Sequence, residues 1–225
     1  MQIGFVLFPN LTQLDFTGPL QVLARLPKAK THIIAKSREP VPSDCGLSLV
    51  PTATFAEAPA LDLLCIPGGF GVDAAIEDAE TLDFVRRQAA GATYVTSVCT
   101  GAFILGAAGL LRGKRATTHW AYHRYLARFG AIPVAARVVR DGNLFTGGGV
   151  TAGIDFALTL MAEIAGADVA QAVQLGLEYD PQPPFAAGAP NAAPASVRHA
   201  AETRLAKRFT DFEAVLARVP EANAF

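Results

Sequence analysis

The sequence predicts an α/β fold, a mostly parallel sheet with helices on both faces and a nucleophile elbow at Cys99. Three observations carry this. Strand-like and helix-like runs alternate along the chain, the order that builds βαβ units. Leu61–Ile66 is a continuous apolar run, the pattern of a strand buried on both faces. Between Ala92 and Gly106, a run rich in β-branched residues passes directly into small and apolar residues, with Cys99 at the junction. With 225 residues, 51% of them hydrophobic, the chain can bury a full core, and it reads as one domain over residues 1–225.

The elements follow in order. Ile3–Phe8 is a strand. Pro19 opens a helix running to Leu26, Pro being suited to the first helical position. His32–Lys36 is the second strand, and Ser48–Pro51 is a short extended excursion. Leu61–Ile66 ends in Pro67-Gly68-Gly69, and Ala79–Ala90 is a helix charged on one face. A strand ends at Val98 and a helix follows Gly101. Thr118–Phe129 reads as helical, and Asp141-Gly142 between β-rich flanks signals a hairpin. Helices are expected at Thr151–Ala165 and Val169–Glu178, then a long Pro/Ala/Gly loop over Pro181–Pro194. The tail is an amphipathic helix of about 196–219, with Val197, Ala201, Leu205, Phe209, Phe212, Leu216 and Val219 on one stripe.

Composition narrows the function classes. A net charge of −1 and the lack of a Lys/Arg-rich run leave no electrostatic footprint for nucleic acid. The apolar stretches are broken before they reach membrane-spanning length, and the first nine residues have no basic leader or cleavage site. These features predict a cytoplasmic protein that binds neither nucleic acid nor membrane. Cys45, Cys65 and Cys99 are spaced like neither a zinc site nor a disulfide framework, and no His/Cys/Asp/Glu cluster has metal-ligand spacing, so no metal is expected. Cys65 lies in an apolar run and reads as an inert core thiol.

In open α/β sheets, sites form beyond the carboxyl ends of the strands at the topological switch point. The loops after Phe8, Ile66 and Val98 are therefore the places to look. Cys99 starts a helix, where a thiol's pKa falls and a thiolate becomes a nucleophile, and Thr100, Gly101 and Ala102 permit a tight strand-to-helix turn. Asp15 has apolar neighbours in Leu14 and Phe16. A carboxyl in such a setting has a raised pKa suited to acid/base work, with a helix cap before Pro19 as the plainer role. Gly68 and Gly69 let backbone approach a ligand, and their N–H groups with those of Cys99 and Thr100 could form an oxyanion hole. The Thr100 hydroxyl is placed to hydrogen-bond a substrate or a water, or to cap the helix start. His119 would complete a Cys–His pair if it lay near Cys99, and it otherwise reads as structural, like His32, His123 and His199. Gly147-Gly148-Gly149 before a small-residue helix lets a helix end pack closely or shift.

Val6-Leu7-Phe8-Pro9, Leu14-Asp15-Phe16-Thr17-Gly18-Pro19, Ile66-Pro67-Gly68-Gly69 and Val98-Cys99-Thr100-Gly101-Ala102, in this order, resemble the ThiJ/PfpI superfamily. The resemblance implies a flavodoxin-like fold related to class I glutamine amidotransferases. Within the superfamily the chain most resembles the isocyanide hydratases. Asp15 stands where many members have Glu, Thr100 where protease-like members have His, and Gln174–Phe185 also matches. That branch implies hydration of an isocyanide to an N-substituted formamide. Cys99 would be the nucleophile and Asp15 its acid/base partner, acting in a homodimer without a cofactor. Arg115–Trp120 also resembles the sensor domain of AraC-type regulators, so a ligand-sensing module is one competing expectation, and another thiol activity of the superfamily, glyoxalase- or amidase-like or redox-sensing, is the second.

Overall fold

A computed structural model of the chain describes residues 1–219, so the last six residues of the expected domain lie outside the described part. Its main sheet has strands β1 (Gln2–Val6), β2 (Lys30–Ala35), β5 (Ala53–Thr54), β6 (Leu63–Ile66), β7 (Tyr94–Val98), β10 (Val138–Asp141) and β11 (Leu144–Gly147). Two short pairs, β3 (Val41–Pro42) with β4 (Ser48–Leu49) and β8 (Arg115–Ala116) with β9 (Ile132–Pro133), lie outside it.

The strand order is β10-β11-β7-β6-β1-β2-β5. Every neighbouring pair is parallel except β10–β11, the hairpin expected at Asp141, which turns through Gly142 at φ +63°. The parallel run β2-β1-β6-β7-β11 is the flavodoxin-like order, and it reverses direction at β1. A crevice therefore opens beyond the carboxyl ends of β1 and β6.

β6 is buried at all four positions, as its apolar run predicts. The helices are α1 (Gln13–Leu23), α2 (Val72–Ala75), α3 (Ala79–Gly91), α4 (Ala102–Ala107), α5 (Ala152–Ala165), α6 (Ala167–Gly176) and α7 (Ala195–Leu216). Phe103 touches Phe129 and Phe212, so the start of α4 anchors the end of α7. Along α7, Val197 is exposed, Leu205 and Phe209 are half-buried, and Phe212 and Leu216 are buried. The apolar stripe thus meets the body only over its second half.

Two elements differ from the sequence reading. The first helix begins at Gln13, six residues before Pro19, so Pro19 lies inside it. A proline inside a helix loses one hydrogen bond and crowds the carbonyl four residues back, while the helix start gains the packing of Phe16 edge-on against Phe5 of β1. Residues Trp120–Phe129 form 3-10 turns rather than an α-helix, closed by Gly130 at φ +72°. No helix among the described residues is long and apolar enough to cross a membrane.

Candidate active site

β7 delivers Cys99. Val98 is extended, and Cys99 then takes φ +55°, a left-handed conformation that costs a non-glycine residue about 1–3 kcal/mol. Three contacts hold it there. The Cys99 N–H donates to the Gly148 carbonyl at 2.9 Å, and the Thr118 hydroxyl donates to the Cys99 carbonyl at 2.8 Å. Gly101 packs so tightly under the turn that a Cβ there would stand 2.3 Å from the Ile66 carbonyl oxygen. The elbow is real, and glycine is what permits it.

α1 delivers Asp15, fully buried and in the helix's first turn. Thr12 is the residue at the helix cap, which removes the capping role for Asp15. Asp15 Oδ2 accepts from the Gly68 N–H at 3.0 Å, while Oδ1 meets no N–H or O–H donor. The carboxyl lies beside the Cys99 thiol, and each shifts the pKa of the other. Burial lifts the Asp15 pKa from 3.8 to about 7, against the pull of the thiol and the Gly68 N–H.

Cys99 corrects one expectation. Its pKa lies well above the usual thiol value, because burial and the neighbouring Asp15 outweigh the Val150 and Thr100 N–H groups directed at the sulfur. An N-terminal position lowers a thiol pKa only where the thiolate keeps contact with water or meets a positive charge, and Cys99 is 5% exposed beside a carboxyl. At rest the thiol keeps its proton, with the Asp15 carboxyl beside it.

The expected oxyanion hole is also corrected. The N–H groups of Gly68 and Gly69 are taken, the first by Asp15 and the second by the Thr100 hydroxyl at 2.9 Å. The Cys99 N–H is taken by Gly148. The two N–H groups on the sulfur are those of Thr100 and Val150, and Val150, at φ +30°, carried no sequence signal. Gly68 matters for space instead: a Cβ there would lie 2.5 Å from the Thr100 nitrogen and 2.8 Å from Asp15 Oδ2. The Thr100 hydroxyl also donates to the Gly69 carbonyl at 3.3 Å, so it ties the β6 loop to the elbow and holds no proton for a substrate.

Over the sulfur lies a pocket of about 170 Å³, lined by Cys99, Thr100, Phe70, Tyr122, Val150 and Phe212 among others. It is mostly apolar and of a size that holds a benzene-sized group. Asp73 and, from α7, Arg208 stand at its edge, with Arg208 stacked over Phe70 at 3.9 Å. His119 reaches this pocket too. Its place could not be read from the sequence, because it depends on how the residues after β8 return across the elbow.

The family model for the DJ-1/PfpI family matches residues 1–163. The chain belongs to the DJ-1/PfpI family. It is 62% identical over 206 residues to the isonitrile hydratase of Pseudomonas putida, covering 92% of this chain and 90% of that protein. A crystal structure of a ThiJ/PfpI family protein from Pseudomonas syringae superposes with a TM-score of 0.92 at 50% identity, covering 96% of this chain and 90% of that one. The regulator GbdR of Pseudomonas aeruginosa is 30% identical over 188 residues, 79% of this chain but half of the regulator.

Proposed function

We propose that the protein hydrates isocyanides, R–N≡C, to N-substituted formamides, with Cys99 as nucleophile and Asp15 as acid and base. The observation that carries this reading is a buried thiol at the floor of a small apolar pocket with a buried carboxyl beside it, whose pKa burial lifts to about 7. An isocyanide's terminal carbon must gain both a nucleophile and a proton, and this pair holds both. The 62% identity to an isonitrile hydratase supports the same substrate class.

In the first step the Cys99 sulfur bonds to the terminal carbon. Its proton passes through Asp15 to that same carbon, giving the thioimidate R–N=CH–S–Cys99 and leaving Asp15 ionised. In the second, Asp15 takes a proton from water as the hydroxide adds to carbon and passes that proton on to the imidate nitrogen, giving R–NH–CH(OH)–S–Cys99 and an ionised Asp15. Collapse breaks the C–S bond, forms the formamide C=O and returns a proton to the thiolate. Covalent catalysis divides one hard hydration into two easier steps. The Thr100 and Val150 N–H groups stabilise negative charge on sulfur at departure. Thr100 serves through its backbone, and Gly68 and Gly69 by letting the β6 loop close on the pair. No cofactor enters this scheme.

The reading includes one domain per chain, a cytoplasmic setting and a homodimer. Exposed Leu175, Phe185 and Val197 support an interface between copies. The test is formamide production from a simple alkyl or aryl isocyanide, followed by absorbance or mass, with Cys99→Ala and Asp15→Asn alongside. Turnover by wild type and none by Cys99→Ala is expected. Binding without turnover would favour the sensor reading, and turnover by Cys99→Ala would overturn the covalent route.

A further inference from the structure

Beyond the Cys–Asp pair, the second half-reaction needs a third group. When water adds to a thioimidate, the C=N electrons move onto nitrogen, which then needs a proton donor, and Asp15 is at that moment occupied as the base. The pocket contains a donor able to meet that nitrogen.

His119 Nδ1 accepts a hydrogen bond from the Ala121 N–H at 3.3 Å. A nitrogen that accepts is unprotonated, so the proton of the neutral ring sits on Nε2. Nε2 has no acceptor among the described residues, and the ring lines the same pocket as Cys99. Two ties fix its position. Thr118, the preceding residue, is bonded to the Cys99 carbonyl. Gly149, which precedes the Val150 N–H on the sulfur, presses on the other side: a Cβ there would stand 2.5 Å from His119 Cδ2 and 3.3 Å from Nε2. Burial lowers the ring's pKa, which keeps it neutral and keeps Nδ1 free to accept.

We infer that His119 is a catalytic residue of the second half-reaction, donating from Nε2 to the nitrogen of the Cys99 thioimidate and so polarising C=N for attack by water. The balance is complete. Water supplies hydroxide to carbon and its proton to Asp15. The hydrogen bond from Nε2 strengthens as the nitrogen gains electron density, and the proton the nitrogen finally keeps is replaced on the ring from Asp15 through solvent. Formation of the thioimidate does not draw on His119.

This inference rests on the hydratase reading, and the two fail differently. If wild type makes no formamide, that reading fails. The experiment compares wild type, His119→Phe and His119→Asn with one isocyanide, measuring steady-state turnover and the intact mass of the protein during turnover. In His119→Phe, kcat should fall about 100-fold, as for loss of one donor to a developing charge. Cys99 should meanwhile carry a mass increase equal to one substrate, formed as fast as in wild type. His119→Asn, which keeps an N–H donor, should recover a large part of kcat and show less adduct. Equal formamide rates for wild type and His119→Phe, or a loss of rate with no adduct, would overturn the role. Imidazole 15N NMR of the wild-type protein provides an arm that needs no variant: protonated Nε2 and bare Nδ1 support the inference, and the opposite tautomer overturns it.

Discussion

Cys65, on β6, and Cys99, just past the end of the neighbouring β7, are both buried, and both have thiol pKa values pushed up by burial, Cys65 to about 12. Cys65 lies in the middle of the sheet, paired in register with Phe5 on one side and Thr96 on the other, and does not line the pocket that Cys99 opens into. Cys99 lies just past the end of its strand, with a left-handed backbone, two N–H groups directed at its sulfur, a carboxyl beside it and a cavity above. Loss of water therefore does not separate an inert thiol from a reactive one here. What separates them is a base that can take the proton at the moment of attack.

The same substitution at the two sites gives the sharpest test. Cys99→Ser should lower isocyanide turnover by more than about 10³-fold, since a hydroxyl is a far weaker nucleophile under the same base. Cys65→Ser should leave turnover within about twofold but cost roughly 1–3 kcal/mol of stability, because it buries a more polar hydroxyl in the dry middle of the sheet, beside Thr96. A formamide assay paired with urea unfolding reads both. Loss of turnover in Cys65→Ser at full folding would break the comparison.

The next largest effect lies in the partner that Cys65 lacks. Asp15→Asn should lower turnover by at least about 10²-fold, the scale of a lost general acid and base. The asparagine can still accept from Gly68, so the fold survives. Two further readouts follow from charge. Removing the carboxylate relieves the electrostatic rise in the Cys99 pKa, so alkylation by iodoacetamide should begin at lower pH than in wild type. The folded Asp15 holds its proton up to about pH 7, against 3.8 for its ordinary value, so between these limits the folded chain binds more protons than the unfolded one. Wild-type stability therefore falls as pH rises through that window and levels off above it. Asp15→Asn should melt higher than wild type at pH 8, by a few kcal/mol at most, and nearly level with it at pH 4. Equal melting offsets at both pH values would mean that Asp15 does not carry its proton into the fold.

The sequence and the structure agree where local signals decide. The strand–helix junction at Cys99, the buried run of β6 and the hairpin at Gly142 each rest on a few adjacent residues, and each stands where those residues predict. What stayed hidden depends on contacts between distant segments. That the Gly68 and Gly69 N–H groups are taken follows from α1 and the elbow closing on the β6 loop, 53 and 31 residues away in sequence. The Val150 N–H and the His119 ring reach the sulfur's neighbourhood only because β11 returns beside β7 and the 3-10 segment folds over it. Burial inverted the thiol's expected pKa for the same reason: helix position is local, but water exclusion belongs to the whole crevice.

The smallest expected effect lies farthest from the sulfur and tests whether access, as well as chemistry, separates the two thiols. Arg208 comes from the half-buried stretch of α7 and stacks on Phe70 at the edge of the pocket, drawing down the pKa of an Asp73 carboxyl that burial raises. It touches neither Cys99 nor Asp15 among the hydrogen bonds and ion pairs of the described residues. Arg208→Ala removes the cover and leaves the elbow intact. For a small alkyl isocyanide, kcat should be unchanged. For a bulky aryl one, KM should fall by about two- to fivefold, the equivalent of the ~0.5–1 kcal/mol that an exposed cation–π contact contributes and that the larger guest must otherwise displace. A drop in kcat for the small substrate would place Arg208 in the chemistry, and the contrast between the two cysteines would then need a longer reach than the elbow and its carboxyl.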